Sequence, residues 1–289
     1  MRTQQLPVWV SVPLVVGAFA ILLWLEHRRP LRPTVASKLT RTVRNLAVAA
    51  VGAAALQIAE RPITAPLTAM VEQRSWGLLK WTSLPVWAEV PLAVVLLDYT
   101  LYVWHVLTHR VAWLWHFHVV HHVDLDLDAS TALRFHFGEL VLSVAWRAGQ
   151  VVFLGVSPLA LSVWQTAVLL SILFHHSNVR LSVETERWLN RFIVTPRMHG
   201  IHHSMVREET NANWSSGLTL WDRLHGTLRL NVPQDEITIG VPAYRESQEV
   251  VLPKILMMPF GKERPTWRLP NGEQPTRSYL PIAPDYLLA

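Results

Sequence analysis

Apolar residues in this chain run in long blocks rather than in alternating or amphipathic patterns. The first block, Leu6 to Leu25, is twenty residues without a charge, the length that crosses a hydrocarbon core of ~30 Å. It predicts a retained membrane helix and not a cleaved leader. The basic residues follow the run, and no polar cleavage region comes after Ala18 and Ala20. The second block, Asn45 to Ala59, is Ala-rich and short. Glu60, Arg61 and Pro62 close it, with Ile63 to Val71 as an irregular extension. The third runs from Leu84 to Leu107, interrupted by Glu89, Pro91 and Asp98. The fourth and fifth, Leu140 to Val156 and Leu159 to Phe174, meet at Ser157-Pro158 and predict a helical hairpin. No long apolar run exists past His203. The pattern predicts an all-α, polytopic integral membrane protein with about 4–5 membrane helices and a cytoplasmic His-rich helical cap. Three regions are expected: N-terminal membrane helices over 1–85, a catalytic region over 86–230, and a polar cytoplasmic tail over 231–289. The tail is expected to pack poorly from Arg264 onward.

Charge sets the expected orientation. Arg28, Arg29, Arg32, Lys38, Arg41 and Arg44 crowd one short loop, a cytoplasmic marker. The N-terminus is then outside, and the opposite loop, Glu72 to Trp87, holds only Arg74 and Lys80. Counting crossings puts every His cluster on the cytoplasmic side, provided the short second block spans fully. The net charge of +5 follows from this topology and needs no nucleic acid. Only 16% of residues are charged, against a usual ~25%. With 0 Cys, disulfides, thiolate metal sites and Cys nucleophiles are excluded. Trp104, Trp113 and Trp115 fit an interfacial aromatic belt.

Histidine carries the chemistry. Twelve of the 14 His lie between positions 105 and 203. All of these but His116 form His105-x-x-x-His109, His118-x-x-His121-His122, His136, His175-His176 and His199-x-x-His202-His203. On a helix, residues turn by ~100° each, so His105 and His109 lie ~40° apart and each H-x-x-H-H group spans ~100°. Each cluster can thus aim two or three imidazoles at one point. Neutral imidazole suits Zn, Cu, Fe and Ni. The three clusters hold too many ligands for one four-coordinate ion, so two metal ions are expected. His176, and His175 or His136, are candidates to complete the set. Asp98 and Tyr102 share a stripe with His105 and His109. They are the candidate positioning residues, Asp98 by accepting the free ring N–H of a ligand. Glu139, Glu209 and Asp222 are further candidates for such support. Asp124, Asp126 and Asp128 read as a solvated loop, and His27 and His225 as structural.

The order H-x-x-x-H, H-x-x-H-H, H-x-x-H-H between hydrophobic spans resembles the fatty acid hydroxylase and sterol desaturase superfamily. Asp98-Tyr-Thr-Leu-Tyr102-Val-Trp-His105 is similar to that family's first box, and Leu114-Trp-His-Phe-His118-Val-Val-His121-His122 to its second. Pro196-Arg-Met-His199-Gly-Ile-His202-His203 resembles its third. Arg134-Phe-His136, Phe174-His175-His176-Ser177-Asn178 and Trp221-Asp-Arg-Leu-His225-Gly-Thr227 match intermediate and closing motifs, over roughly residues 90 to 230. The family commonly has Phe where His225 stands. The resemblance implies a membrane oxygenase with two Fe ions, zinc being a substitute in a purified sample. O2 would be the co-substrate, and an external electron-transfer protein the source of electrons. It implies hydroxylation or desaturation of an aliphatic chain in a lipid substrate. As metal ligands it carries over His105, His109, His118, His121, His122, His176, His199, His202 and His203, with His136 as a site residue. No G-x-G-x-x-G or P-loop is present, so electrons must come from another protein. Arg180, Arg187, Arg191, Arg197 and Arg207 are a candidate face for an acidic donor or anionic lipid. The competing class is a membrane metal-binding or metal-transport protein without oxygenase activity. Transport would call for His or Asp at mid-span in several helices, whereas here the His lie at span ends. A zinc protease falls because H-E-x-x-H is absent.

Overall fold

The computed structural model describes residues 5–262 and 264–279. Among these the chain is helical, with only isolated β-bridges such as Pro30 with Val179. Five helices are long and apolar enough to cross a membrane. They are α1 (Val8–Arg28), α2 (Lys38–Arg74), α3 (Val86–Arg110), α5 (Phe137–Leu154) and α6 (Pro158–His176). Between and beyond them lie α4 (Ala112–His122), α7 (Val183–Leu189), α8 (Pro196–His202), α9 (Arg207–Thr210), α10 (Leu220–Leu224) and α11 (Leu252–Met257). Val8, Trp9, Val12, Leu14, Val16, Ile21 and Trp24 of α1 are exposed. A helix apolar on its outer face as well as its inner one belongs in lipid.

The second block belongs to a helix long and apolar enough for a full span. Asn45 to Ala59 and Ile63 to Val71 fuse into one helix of 37 residues, ~55 Å long at 1.5 Å per residue. Pro62 and Pro66 lie inside it, and Thr64 Oγ1 donates to the Glu60 carbonyl at 3.1 Å. Alternation of direction follows from contacts at the two ends. At one end the Leu31 N–H donates to Asn178 O at 2.9 Å, joining the ends of α1 and α6. The Val35 and Ala36 N–H groups reach Asp126, bringing the start of α2 to the same level. At the other end Gly77 (φ 94°) lies against Gly155 (φ 77°). A Cβ on either would collide with the backbone of the other, so this crossing needs glycine at both places. Lys80 there pairs with Glu72 and Glu89. The α5–α6 hairpin forms as expected: Gly155 takes the left-handed C-cap, Ser157 accepts from the Ala160 N–H at 3.3 Å, and Pro158 starts α6.

The membrane bundle is cored by Val71, Ala93, Leu97, Val151, Leu161 and Trp164 from α2, α3, α5 and α6. All His clusters fall at its other end, under a cap of α4, α8 and the C-terminal segment. Two expectations need correction there. Asp124, Asp126 and Asp128 are not a solvated loop. All three are buried around Arg41, itself 1% exposed, which reaches Asp124 and Asp128 at 3.1 and 2.9 Å. Arg44 and Asn45 complete the network on Asp124. Several of the residues counted as a cytoplasmic charge marker are thus structural, because α2 starts low enough to insert them into the cap. Arg32 is buried as well and donates to Gln234 Oε1 at 2.6 Å. The second correction concerns the tail. Ile237, Ile239, Val241, Val250 and Ile255 are buried in the cap. From Arg264 to Tyr279 the chain is still anchored, and the rest of the expected tail lies outside the described residues. Trp267 stacks on Trp115 at 5.4 Å, and Arg277 and the Tyr279 hydroxyl both donate to Glu209.

Candidate metal centre

Nine imidazoles converge in two adjacent groups. One comprises His105, His109, His118, His122 and His202, the other His121, His176, His199 and His203. In each group the candidate ligand atoms lie within 4.8 Å of one another. The groups touch, since the His122 ring stacks on His203 with centroids 4.3 Å apart. The helical geometry explains the sorting. Residues i and i+4 are ~40° apart, whereas i+3 falls ~60° to the other side. His118 and His122 of α4 therefore serve one group and His121 the other. On α8, His199 and the capping His203 serve one group and His202 the other. Each H-x-x-H-H box is split between two sites, and does not aim at one point as the arc alone suggested. α3 contributes His105 and His109, and α6 contributes His176.

Backbone and carboxylate acceptors fix the rings. Nδ1–H of His105 donates to Trp214 O at 2.7 Å, that of His202 to Ala212 O at 2.8 Å, and that of His176 to Ile172 O at 2.7 Å. A carbonyl can only accept, so these rings carry their proton on Nδ1 and present a bare Nε2 lone pair to the centre. His118 Nδ1 faces Glu139 Oε1 at 2.8 Å in the same role. In the second group, Nε2 of His176 lies 2.9 Å from that of His121 and 3.0 Å from that of His199, whose Nε2 is 3.1 Å from that of His203. No assignment of protons satisfies this row. The His176 nitrogen has none to give, and one proton on His199 cannot serve two neighbours at once. A cation at the centre accepts all four lone pairs. Metal–nitrogen bonds of ~2.0–2.1 Å put neighbouring ligand nitrogens ~3.0–3.4 Å apart, close to these spacings. The donor set fits two imidazole-bound metal ions.

Electrostatics agree for the groups on the cap. Burial first, then the neighbouring imidazoles, push His121, His122, His199 and His203 well below the ordinary histidine range. Burial lowers His202 to about 3. All five are therefore neutral at pH 7, the state a ligand needs.

Four expected site residues stand elsewhere. His136 caps α5: its Nδ1 accepts from the Gly138 N–H at 3.0 Å and its Nε2 donates to Leu256 O at 3.1 Å. Both nitrogens are occupied by backbone, leaving none for a metal. His175 is buried with its ring 4.1 Å from His199, beside the second group but outside it. Asp98 accepts not from a histidine but from the Leu218 N–H at 2.9 Å and Trp221 Nε1–H at 2.8 Å. Tyr102 OH meets Thr227 Oγ1 at 3.1 Å, and its ring stacks on His225 at 5.0 Å. Both act one step away, on the loop whose Trp214 carbonyl holds His105. Asp222 grips the same loop through the Trp214 and Ser215 N–H groups, each at 3.0 Å. Of the suggested carboxylates, Glu139 alone among Glu139, Glu209 and Asp222 has a hydrogen bond to a converging histidine. The supports at Trp214, Ala212 and Ile172 are carbonyls, which leave no mark in a sequence.

A cavity of about 160 Å³ opens on the membrane side of both groups. His105, His118, His121, His176 and His199 form one wall. Leu101, Trp104, Phe135, Leu140, Val168 and Ile172 form much of the rest.

Fold and site together define a helical multi-pass membrane protein with a paired histidine centre facing an apolar chamber. Residues 90–227, a little under half of the chain, match the sequence model of the fatty acid hydroxylase family. It is 36% identical to the ornithine lipid hydroxylase OlsE of Rhizobium tropici, over 54% of this chain and 46% of the relative. It is 29% identical to human cholesterol 25-hydroxylase, over 54% of this chain and 53% of the relative. Human alkylglycerol monooxygenase is likewise 29% identical, over 52% of this chain and 32% of the relative. The chain thus spans about half or less of the length of these relatives. No solved structure matches.

Proposed function

We propose that the chain is a membrane di-iron oxygenase that hydroxylates an aliphatic C–H bond of a lipid, using O2 and electrons from another protein. The observation that carries this reading is the chamber: metal-ready nitrogens on one wall, mostly apolar side chains around the rest. The named activities of the three relatives, hydroxylases and a monooxygenase acting on lipids, support hydroxylation over desaturation. The nine imidazoles of the two groups are the proposed ligands. Bound iron would supply the oxidising power for an unactivated C–H bond, which no side chain has. The chain does the rest. Trp214, Ala212 and Ile172 carbonyls and Glu139 hold rings in the tautomer that presents Nε2. Leu101, Phe135, Leu140 and Val168 seat an apolar chain and exclude water from the reacting carbon. Exposed Arg180, Arg187 and Arg191 on the cap offer a basic face to an acidic electron donor. The positive residues at this end support a cytoplasmic position for the His groups.

Metal analysis of the purified full chain, with comparative lipidomics of a strain lacking it, tests the proposal. About two iron atoms per chain are expected, zinc replacing iron after overexpression, with one lipid class losing a hydroxyl in the deletion strain. A chain that holds metal while the lipidome stays unchanged would favour the metal-binding or transport reading. A chain without metal sinks both.

A further inference from the structure

One polar group in the chamber has no role in the metal centre. Arg147 sits in the middle of α5, within a membrane span, and lines the same cavity as His105, His118 and Glu139. Its guanidinium lies over the Trp164 ring, 4.2 Å from the centroid. Trp164 is 2% exposed, so the stack fixes the cation against a rigid surface. Stacking uses the face of the guanidinium and leaves its N–H edges to find acceptors. Nε and Nη1 are shielded from solvent and meet no hydrogen-bond acceptor among the described residues. The carboxylate of Glu60 on α2 attracts it, but Glu60 Oε1 is already the acceptor of Gln165 Nε2 at 2.9 Å. An ionised donor inside a membrane with unmet N–H groups is costly. The chamber in front of it is where an acceptor can come from.

The distance is set by the helix. Glu139, which marks the metal end by holding His118, lies eight residues before Arg147, ~12 Å along the axis. Ser143 lines the cavity between them.

We propose that Arg147 is a specificity-determining residue that donates to an oxygen of the lipid substrate, a hydroxyl or carboxylate oxygen remote from the carbon at the metals. The inference rests on the lipid-oxygenase reading and narrows it: the substrate is a chain bearing a remote oxygen acceptor, not a plain hydrocarbon tail. Selection works because a pure hydrocarbon leaves the guanidinium unmet, whereas an oxygen at that depth completes it.

The test is direct binding to the full chain in phosphatidylcholine nanodiscs, with radiolabelled octadecane, octadecanol and stearic acid as probes. Octadecanol or stearic acid should bind at least about tenfold tighter than octadecane, from one charged hydrogen bond, and the two arms separate hydroxyl from carboxylate. Arg147→Met should erase the preference while leaving metal content unchanged. Arg147→Lys keeps the charge but loses the fork. It should retain part of the preference, and it serves as the second variant should the Met variant not fold. Equal binding of all three probes to the wild type overturns the proposal, as does a preference that survives in Arg147→Met. In that event water and stacking alone satisfy the guanidinium. A wild type with the preference but no metal leaves this inference standing and sinks the metal reading.

Discussion

Two buried polar clusters draw on almost adjacent stretches of the chain, one on His118 to His122 and the other on Asp124 to Asp128. The second cluster closes on itself. Arg41, Arg44 and Asn45 from α2 meet Asp124 and Asp128, and Thr131 and Ser130 complete the hydrogen bonds. Burial alone would raise the Asp124 carboxyl, yet Arg41, Arg134 and Arg44 together hold it below the ordinary carboxylate range. The histidine cluster does the opposite. The outward nitrogens of His105, His118, His176 and His202 are satisfied by carbonyls and Glu139, while the inward nitrogens of the second group face each other with no arrangement of protons that pairs them all. A polar cluster that satisfies itself is structural. One whose lone pairs converge unsatisfied suits a cation.

The contrast can be broken from either side. The largest effect is expected in the closed network. Arg41→Ala removes the cation shared by three buried carboxylates, at a cost of about 3–5 kcal/mol. Thermal unfolding or yield in membranes should show a severe loss, whatever metal is supplied. A mild effect would mean the aspartates find other partners. In the histidine cluster the expectation reverses: function goes while the fold stays. His202→Ala and His121→Ala each remove a ligand from a different group. Each should abolish lipid hydroxylation, with elemental analysis showing metal falling from about two towards one per chain. Unchanged metal in either variant would contradict the assignment of two sites. Glu139→Gln should be graded, lowering metal affinity roughly 10–100-fold, as is usual for a support of a ligating histidine. Competition with a chelator measures it, and an unaltered affinity would show that His118 holds its tautomer without the carboxylate.

A graded effect is expected with pH in the metal-free chain. Folded-state values for His121, His122, His199, His202 and His203 lie below the ordinary ~6.5. The unfolded chain therefore binds more protons in the acid range. Stability present above ~6.5 falls as pH drops from there towards about 3, the His202 value. Chemical unfolding of metal-free protein at pH 7.5 and 5.5 should show the loss. Bound metal should shift its onset to lower pH, because protons must then displace the ion. A flat profile would mean that the rings are already solvated.

Much of this was legible in the chain. Block length alone predicts five helices, because a bilayer demands about twenty apolar residues whatever surrounds them. The repeated H-x-x-H-H spacing identifies the histidines, because helical turn angles are local. Legibility stops where partners are distant in sequence. Asp98 and His105 share a helix stripe, yet Asp98 serves the 218–221 loop and His105 takes a carbonyl from Trp214. His136 sits in the right neighbourhood, but the start of α5 and the Leu256 carbonyl use up its nitrogens. The acidic run after the second box reads as solvated until α2 arrives with Arg41.

By itself, then, the sequence determined that this is a helical membrane protein with histidine clusters suited to holding metal. Periodicity, length and residue type are properties of short segments. Only the tertiary structure decided which histidine serves which group, which carboxylate supports a ring and which is neutralised by arginine, and that Arg147 faces the chamber. Those outcomes depend on where α2, α3, α6 and the C-terminal segment meet, and that is set by packing across the whole chain.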